Sequence, residues 1–250
     1  MAPVLETIGL VKRFGGITAA SDVSLQIEKG ARHALIGPNG AGKTTVVNLL
    51  TGMLRPSEGQ ILLDGHDITN SEPHMRVRRG IARTFQINQL FAELTPIEAI
   101  GLAVSERMGT GRQWWRLLGR RPEVVEDIIG IIEQFQLADV MYDRTAILPY
   151  GKQRLLEIAL AIACRPRVLL LDEPAAGVPE AERHEILTTV ASLPKDVTVL
   201  LIEHDMDLVF SFADRISVLV NGALFADGTP DAVARDARVK AVYLGETFDA

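Results

Sequence analysis

Ala34-Leu35-Ile36-Gly37-Pro38-Asn39-Gly40-Ala41-Gly42-Lys43-Thr44-Thr45-Val46-Val47 is the stretch that decides the fold. An apolar run, a glycine-rich loop, and then apolar residues at Val46, Val47, Leu49 and Leu50 read as strand, loop and helix. The loop matches G-x-x-x-x-G-K-[ST] in the strand-to-helix context that this pattern requires. Its glycines let backbone N–H groups converge on phosphate oxygens with no Cβ in the way, and the positive end of the following helix adds to the anion site. Lys43 supplies a point charge for β- and γ-phosphates, and the Thr44 hydroxyl a magnesium ligand. The bland alternative is a glycine-rich turn before an ordinary helix, and the flanking pattern disfavours it.

Upstream, Val23, Leu25 and Ile27 alternate with polar neighbours, and Glu28-Lys29-Gly30 turns the chain into the apolar run. Downstream, residues 60–63 read as a strand closed by an Asp64-Gly65 turn. From about residue 91 to 159 the character becomes helical: Val124, Ile128, Ile131 and Ile132 fall on one helix face, and residues 155–163 form a second apolar helix. Strands return at 168–171, 197–202 and 216–220, the last passing through an Asn221-Gly222 hairpin turn into residues 223–226. Thr229-Pro230 reads as an N-cap with proline at the first helical position. The pattern is an α/β core interrupted by a helical insertion, without internal repeats or coiled-coil heptads.

Two of the later strands end in candidate chemistry. Val168-Leu169-Leu170-Leu171 is apolar on both faces, as a central parallel strand is, and it ends in Asp172-Glu173. The carboxyl ends of such strands are where α/β sheets place ligands. Asp172 there would hold the magnesium shell, and Glu173 would orient or deprotonate an attacking water. Taken alone, acids at a strand end are equally well solvated turn residues. Val197-Thr198-Val199-Leu200-Leu201-Ile202 ends in Glu203-His204-Asp205. If the strands are parallel, His204 falls at the same edge and can contact the terminal phosphate and the water; otherwise it is a structural or exposed histidine.

Taken together these residues resemble the ATPase subunit of an ATP-binding-cassette (ABC) transporter, over essentially the whole chain. Arg83-Thr84-Phe85-Gln86 resembles the family's Q-loop, Leu148-Pro149-Tyr150-Gly151-Lys152-Gln153-Arg154 its signature motif, and Asp172-Glu173-Pro174 its magnesium acid and catalytic glutamate. All stand in the family's order. The resemblance implies a P-loop NTPase (RecA-like) α/β core over residues 1–90 and 160–250, with an N-terminal antiparallel β region and an inserted α-helical signature subdomain at 91–159. It implies that Gly37, Pro38, Asn39, Gly40, Ala41, Gly42, Lys43, Thr44 and Thr45 bind ATP, and that Thr44, Gln86 and Asp172 surround Mg2+. Glu173, His204, Gln86 and Lys43 are then catalytic. Phe14, in Lys12-Arg13-Phe14-Gly15-Gly16, stands where the family stacks an aromatic on adenine; a core phenylalanine on a strand is the equal alternative.

In this family two ATPase subunits pack head to tail, and each ATP lies between one phosphate loop and the partner's signature helix. Tyr150 and Gly151 would therefore act in trans, offering a helix N-terminus to the γ-phosphate. The implied partners are a second ABC ATPase subunit, identical or different, integral-membrane permease subunits and, indirectly, a periplasmic or extracellular solute-binding protein. The implied location is the cytoplasmic face of the inner (plasma) membrane. Two departures from the family pattern stand out. Pro149 and Tyr150 replace the usual serine and glycine, and Pro179 stands where many members carry aspartate. Proline suits a first helical position but removes a hydroxyl and an N–H, which leads to the expectation of a weakened composite site and a non-identical partner. The segments Tyr150 to Ala159, Asp172 to Gly177 and Tyr243-Leu244-Gly245 most resemble the branched-chain amino-acid importer ATPases, whose relatives serve urea, amides and aromatic acids. Non-transport members of the superfamily usually carry coiled coils or two cassettes, and Glu173 with His204 speaks against a subunit that only binds ATP.

The bulk numbers agree with this reading. At 250 residues, 47% hydrophobic and 23% charged, the chain has an ordinary globular balance, and its net charge of −6 argues against a nucleic-acid partner. One cysteine, Cys164, excludes an intrachain disulfide and a cysteine-based zinc site; it reads as an inert core residue of an apolar helix. No basic segment followed by an apolar run opens the sequence, so no secretory signal is expected. The longest apolar runs fall far short of the roughly 20 residues of a membrane span, so a soluble, peripheral subunit is expected. Arg112, Arg116 and Arg120 recur every four residues beside Trp114 and Trp115; a solvated helix face with the tryptophans packed inward is the favoured reading over a contact with lipid headgroups or a membrane subunit.

Overall fold

The computed structural model describes residues 3–84, 90–109 and 122–244, and forms two compact units. The first takes in Met1–Arg83, Arg167–Glu173 and Pro194–Ala250; the second takes in Thr84–Pro166 and Pro174–Leu193.

The first unit is built on two sheets. One is antiparallel, with β1 (Pro3–Phe14) pairing β2 (Ile17–Val23), β3 (Gln26–Glu28) and β5 (Glu58–Leu63), and β6 (His66–Asp67) following β5. Asp64 and Gly65 both take positive φ, 48° and 74°, which closes the β5–β6 hairpin in the sense that suits strand twist. The second sheet has the order β11-β10-β4-β9-β8-β7. Its strands are β4 (Arg32–Ile36), β7 (Ile81–Arg83), β8 (Val168–Asp172), β9 (Thr198–Ile202), β10 (Arg215–Val220) and β11 (Ala223–Gly228). All neighbours from β10 to β7 are parallel, and only β11 runs antiparallel, through the expected Asn221-Gly222 turn. Every residue of β4, β8 and β9 is buried, the condition that their unbroken apolar runs announce.

Helix α1 (Lys43–Thr51) starts directly after the glycine loop, and no side chain caps its N-terminus. A missing cap costs about 1 kcal/mol. Val46, Val47, Leu49 and Leu50 outweigh it, because each fully buried side chain contributes roughly 2 kcal/mol. They join one core cluster with Leu10 and Ile61 of the antiparallel sheet and Leu35, Leu170 and Leu200 of the parallel one. The helix thus holds its place by packing, and its first N–H groups are left to the loop side.

The other end of α1 is pinned by a charge. Arg76, on α2 (Pro73–Arg78) and 1% exposed, donates to the carbonyls of Leu49 at 2.6 Å, Leu50 at 2.9 Å, Thr69 at 2.8 Å and Ser71 at 3.0 Å. A cation suits a helix C-terminus, where the carbonyls lack helical partners. Burial lowers the guanidinium to about 10, against the pull of Asp67 and Glu72.

The described helices of the second unit include α3 (Pro96–Arg107), α4 (Pro122–Gln134), α5 (Tyr150–Ala163) and α6 (Glu180–Ala191). Thr95 and Glu98 form a capping box at the start of α3. The apolar face expected of residues 123–135 is the face that α4 buries, through Val124, Ile128, Ile131 and Ile132. Arg107 donates to the Ala163 carbonyl at 2.9 Å and pairs with Asp127, so α3, α4 and α5 share one polar tie. Cys164 is not within the helix core as expected. It is the half-buried C-cap residue of α5, where burial pushes its thiol pKa up, the direction that disfavours the reactive thiolate. Two short helices, α7 (Met206–Phe212) and α8 (Pro230–Arg235), and α9 (Ala237–Leu244) complete the first unit, and Thr229 caps α8 as its Thr-Pro start predicts. Among the described residues no helix is long and apolar enough to cross a membrane. The arginine and tryptophan stripe at 112–121 lies outside the described residues.

Candidate nucleotide site

The loop from Gly37 to Gly42 is threaded between two strands. A Cβ on Gly37 would run into the Leu219 carbonyl oxygen of β10, and one on Gly42, at φ 96°, into the Ala19 carbonyl oxygen of β2. These two glycines are therefore required by close approach as well as by conformation. Further bonds, Ala41 N–H to Pro38 O at 3.2 Å and Gly222 N–H to Ala41 O at 3.0 Å, hold the loop as a cradle. Lys43 folds back over it, donating from Nζ to Gly37 O at 2.6 Å and Pro38 O at 3.1 Å. Burial lowers its ammonium pKa, and the nearby charges of Glu173 and Asp172 pull it back up. Thr44 is exposed, and Thr45 half-buried, at the start of α1.

Because β9 lies between β4 and β8 and all three are parallel, the residues that follow them emerge at one edge. This meets the condition on which the reading of His204 depended. Asp172, 2% exposed, ends β8, and Glu173 follows with a φ of 47°. Its N–H donates to Ile202 O at 2.9 Å, which fixes the turn. A non-glycine residue in this region stores about 1–3 kcal/mol and persists only where its surroundings enforce it. His204 Nδ1 stands 3.8 Å from Glu173 Oε1 and 3.7 Å from Oε2 of the buried Glu203. Asp205 caps α7, accepting from Asp207 N–H and Leu208 N–H.

Phe14 is not a core residue. It ends β1 with 47% of its surface exposed, and Lys12 Nζ lies 5.1 Å from the ring centroid. Its hairpin reaches the loop through Ala19, whose carbonyl faces Gly42. Gln86 lies outside the described residues.

In the second unit, Pro149 is the N-cap of α5 rather than its first helical residue, which is Tyr150. A proline ring brings no side-chain acceptor, and none caps the helix from that position. Glu182 of α6 fills the gap: its Oε2 accepts the Gly151 N–H at 3.1 Å, and any Cβ at position 151 would collide with that oxygen. Tyr150 donates its hydroxyl to Ala176 O at 3.3 Å and stacks beneath Arg154, 5.8 Å from the ring centroid. Sequence reading missed Glu182, Arg83 and Asn48. Their spacing from their partners carries no local signal.

Among the described residues no group of three or more His, Cys, Asp or Glu side chains could hold a metal. Magnesium needs no such cage, since it binds through one or two carboxylates and substrate phosphates. An anion cradle with a lysine, beside a hydroxyl and one buried carboxylate, fits magnesium and a nucleoside triphosphate.

A strand, a glycine cradle and a helix, with acids closing the neighbouring parallel strand, define the P-loop NTPase fold. Comparison with known proteins narrows this class. The ABC transporter family matches residues 20–176, and the branched-chain amino acid ATP-binding cassette transporter family matches residues 223–249. The chain belongs to the ABC transporter ATP-binding family, whose subunits are ATPases. It is 42% identical to the high-affinity branched-chain amino acid transport ATP-binding protein BraF of Pseudomonas aeruginosa, with 98% of each chain covered. It is 39% identical to LivG of Escherichia coli, a protein of the same description, again with 98% of each covered. Among solved structures, the ADP conformation of MJ1267, an ATP-binding cassette of an ABC transporter, superposes with a TM-score of 0.84 at 34% identity, covering 98% of this chain and all of that one.

Proposed function

We propose that this chain is the ATP-hydrolysing subunit of an importer for branched-chain or other hydrophobic amino acids, or for related small solutes such as amides, urea or aromatic acids. It works as a peripheral subunit at the cytoplasmic face of the membrane, against permease subunits that receive solute from a binding protein. The observation that carries the reading is the shared edge: the Lys43 loop, Asp172, Glu173 and His204 follow three adjacent parallel strands. The solute class rests on the relatives' descriptions and on the match at residues 223–249.

In this reading Gly37 to Thr45 cradle the phosphates of ATP, with Phe14 against the adenine. Lys43 exchanges the carbonyls of Gly37 and Pro38 for phosphate oxygens, a larger charge at similar reach. Thr44, Asp172 and Gln86 surround Mg2+, which when bound neutralises charge on the phosphate oxygens. Glu173, held by its fixed turn, orients the attacking water and accepts its proton. His204 contacts the terminal phosphate from the next strand end. Tyr150 and Gly151 complete the site of a second ATPase subunit, so the γ-phosphate of the partner's ATP would take the N–H that Glu182 now accepts.

Co-expression with its permease subunits, purification of the complex and ATPase assay in liposomes tests the proposal. Solute-stimulated hydrolysis is expected from the native complex. The Glu173→Gln complex is expected to bind ATP while hydrolysing it at least about a hundred-fold more slowly. Failure to co-purify with a permease would overturn the transport reading, and undiminished turnover in the variant would overturn the role of Glu173.

A further inference from the structure

Arg83 closes β7, beside β8 in parallel register with Leu170. Its Nη2 donates to Asp172 Oδ2 at 2.6 Å and its Nη1 to Asn48 Oδ1 at 2.7 Å. The arginine side chain is 12% exposed and the aspartate 2%, so this is a nearly dry ion pair. Its fork joins three elements: the edge strand, the strand that ends in the acid, and α1. Asn48 lies one turn beyond Thr44, on the same helix face. One guanidinium therefore sets Asp172 relative to the helix face that carries Thr44.

We propose that Arg83 is a positioning residue for the magnesium site, an inference that rests on the ATPase reading above. By taking Oδ2 it fixes the carboxylate plane and reserves Oδ1 for the metal. Carboxylates that ligate metals are themselves hydrogen-bonded by outer partners, and loss of such a partner typically weakens metal binding 10- to 100-fold. Between nucleotides the same bond balances the Asp172 charge, because a buried carboxylate without a partner is strongly destabilising. Lysine cannot reproduce both bonds, since it lacks the planar fork.

The test separates metal affinity from nucleotide affinity in the full chain. Mn2+ is titrated, with electron paramagnetic resonance detection, against protein saturated with a non-hydrolysable ATP analogue. Binding of a fluorescent ATP analogue is measured separately in EDTA. Arg83→Met is expected to weaken Mn2+ binding about 10- to 100-fold, with metal-free nucleotide affinity within about twofold of native; Arg83→Lys should fall between. Unchanged or tighter Mn2+ binding would overturn the inference, the latter because it would make the guanidinium a competitor of the metal. Equal losses with and without metal would also overturn it, as the sign of a merely structural pair. Should Arg83→Met not fold, Arg83→Lys and Asn48→Ala carry the same test. A native chain that binds no Mn2+ with nucleotide would instead sink the ATPase reading itself.

Discussion

Glu173 Oε1 lies 3.8 Å from His204 Nδ1, a pair brought together from the ends of two adjacent parallel strands, β8 and β9. The separation exceeds a hydrogen bond, and a water or a phosphate oxygen between them would reach both. Groups that act as a unit give non-additive losses. His204→Ala and Glu173→Gln are each expected to cut turnover of the assembled complex by about 10²–10⁴, and the double variant by little more than the worse single one. Steady-state ATPase measurements on the four proteins check this; fully multiplicative losses would mean that the residues act independently.

Lys43 already bonds the Gly37 and Pro38 carbonyls at 2.6 and 3.1 Å, so its ammonium is poised over the cradle. Replacing it with methionine keeps the stem and removes the charge. A charge-assisted bond contributes about 1.5–3 kcal/mol, so ATP affinity should fall roughly ten- to a hundred-fold by calorimetry. The fold should persist, because α1 is held by its buried face.

His33 gives the first unit a pH-dependent stability. It is fully buried on β4, and Nε2 stands 2.8 Å from Ser217 Oγ, whose proton goes to Asp227 at 2.6 Å. The serine therefore accepts from His33 Nε2–H, and Nδ1 is left buried without a partner. Burial, only partly offset by Asp227, pushes the imidazole pKa from 6.5 down to about 4. Between these values the unfolded chain binds the extra proton. Stability is thus full above about pH 6.5 and declines as the pH falls to about 4, by roughly 3 kcal/mol in all. Urea titrations across this range should show the slope, and His33→Gln should flatten it.

Arg76 satisfies four carbonyls, Leu49 and Leu50 at the end of α1 and Thr69 and Ser71 ahead of α2, without a direct carboxylate partner among the bonds that fix it. Arg76→Met removes those donors in one step. Each carbonyl left unsatisfied costs about 1–3 kcal/mol, so the variant should lose at least about 3 kcal/mol in chemical denaturation. Nucleotide affinity should fall with it, because α1 carries the loop's lysine and threonine.

Pro149 leaves the N-terminus of α5 without a side-chain cap, and Glu182 supplies one from α6. Pro149→Ser restores a hydroxyl and an N–H where a partner's phosphate would dock. One added bond contributes about 0.5–1.5 kcal/mol, so ATPase turnover of the assembled complex should rise roughly two- to ten-fold. Unchanged turnover would count against a composite site weakened at this position.

Much of the fold is written locally. The unbroken apolar runs of β4, β8 and β9, the Asn221-Gly222 and Asp64-Gly65 turns and the four buried positions of α4 all stand where pattern and turn chemistry put them. Each of these depends on neighbours within a few residues, which a period or a turn preference can report. Pro149 stands one position before the first helical residue, because a proline before a helix fits the cap as well as the first turn. Phe14 reads equally as core or surface from sequence, since a strand end has no neighbours in sequence to decide it, and the fold exposes it.

By itself, then, the sequence determined the glycine loop, the strands that end in Asp172-Glu173 and in His204, and the family to which their order belongs. Only the tertiary structure decided that β9 lies between β4 and β8, that Glu182 caps the helix at Gly151, and that Arg83 grips Asp172 from 89 residues away. The physical reason is the range of the forces involved. Backbone preference and hydrophobic period act over one or two turns of chain, whereas strand order and buried ion pairs arise when distant segments exchange water for each other.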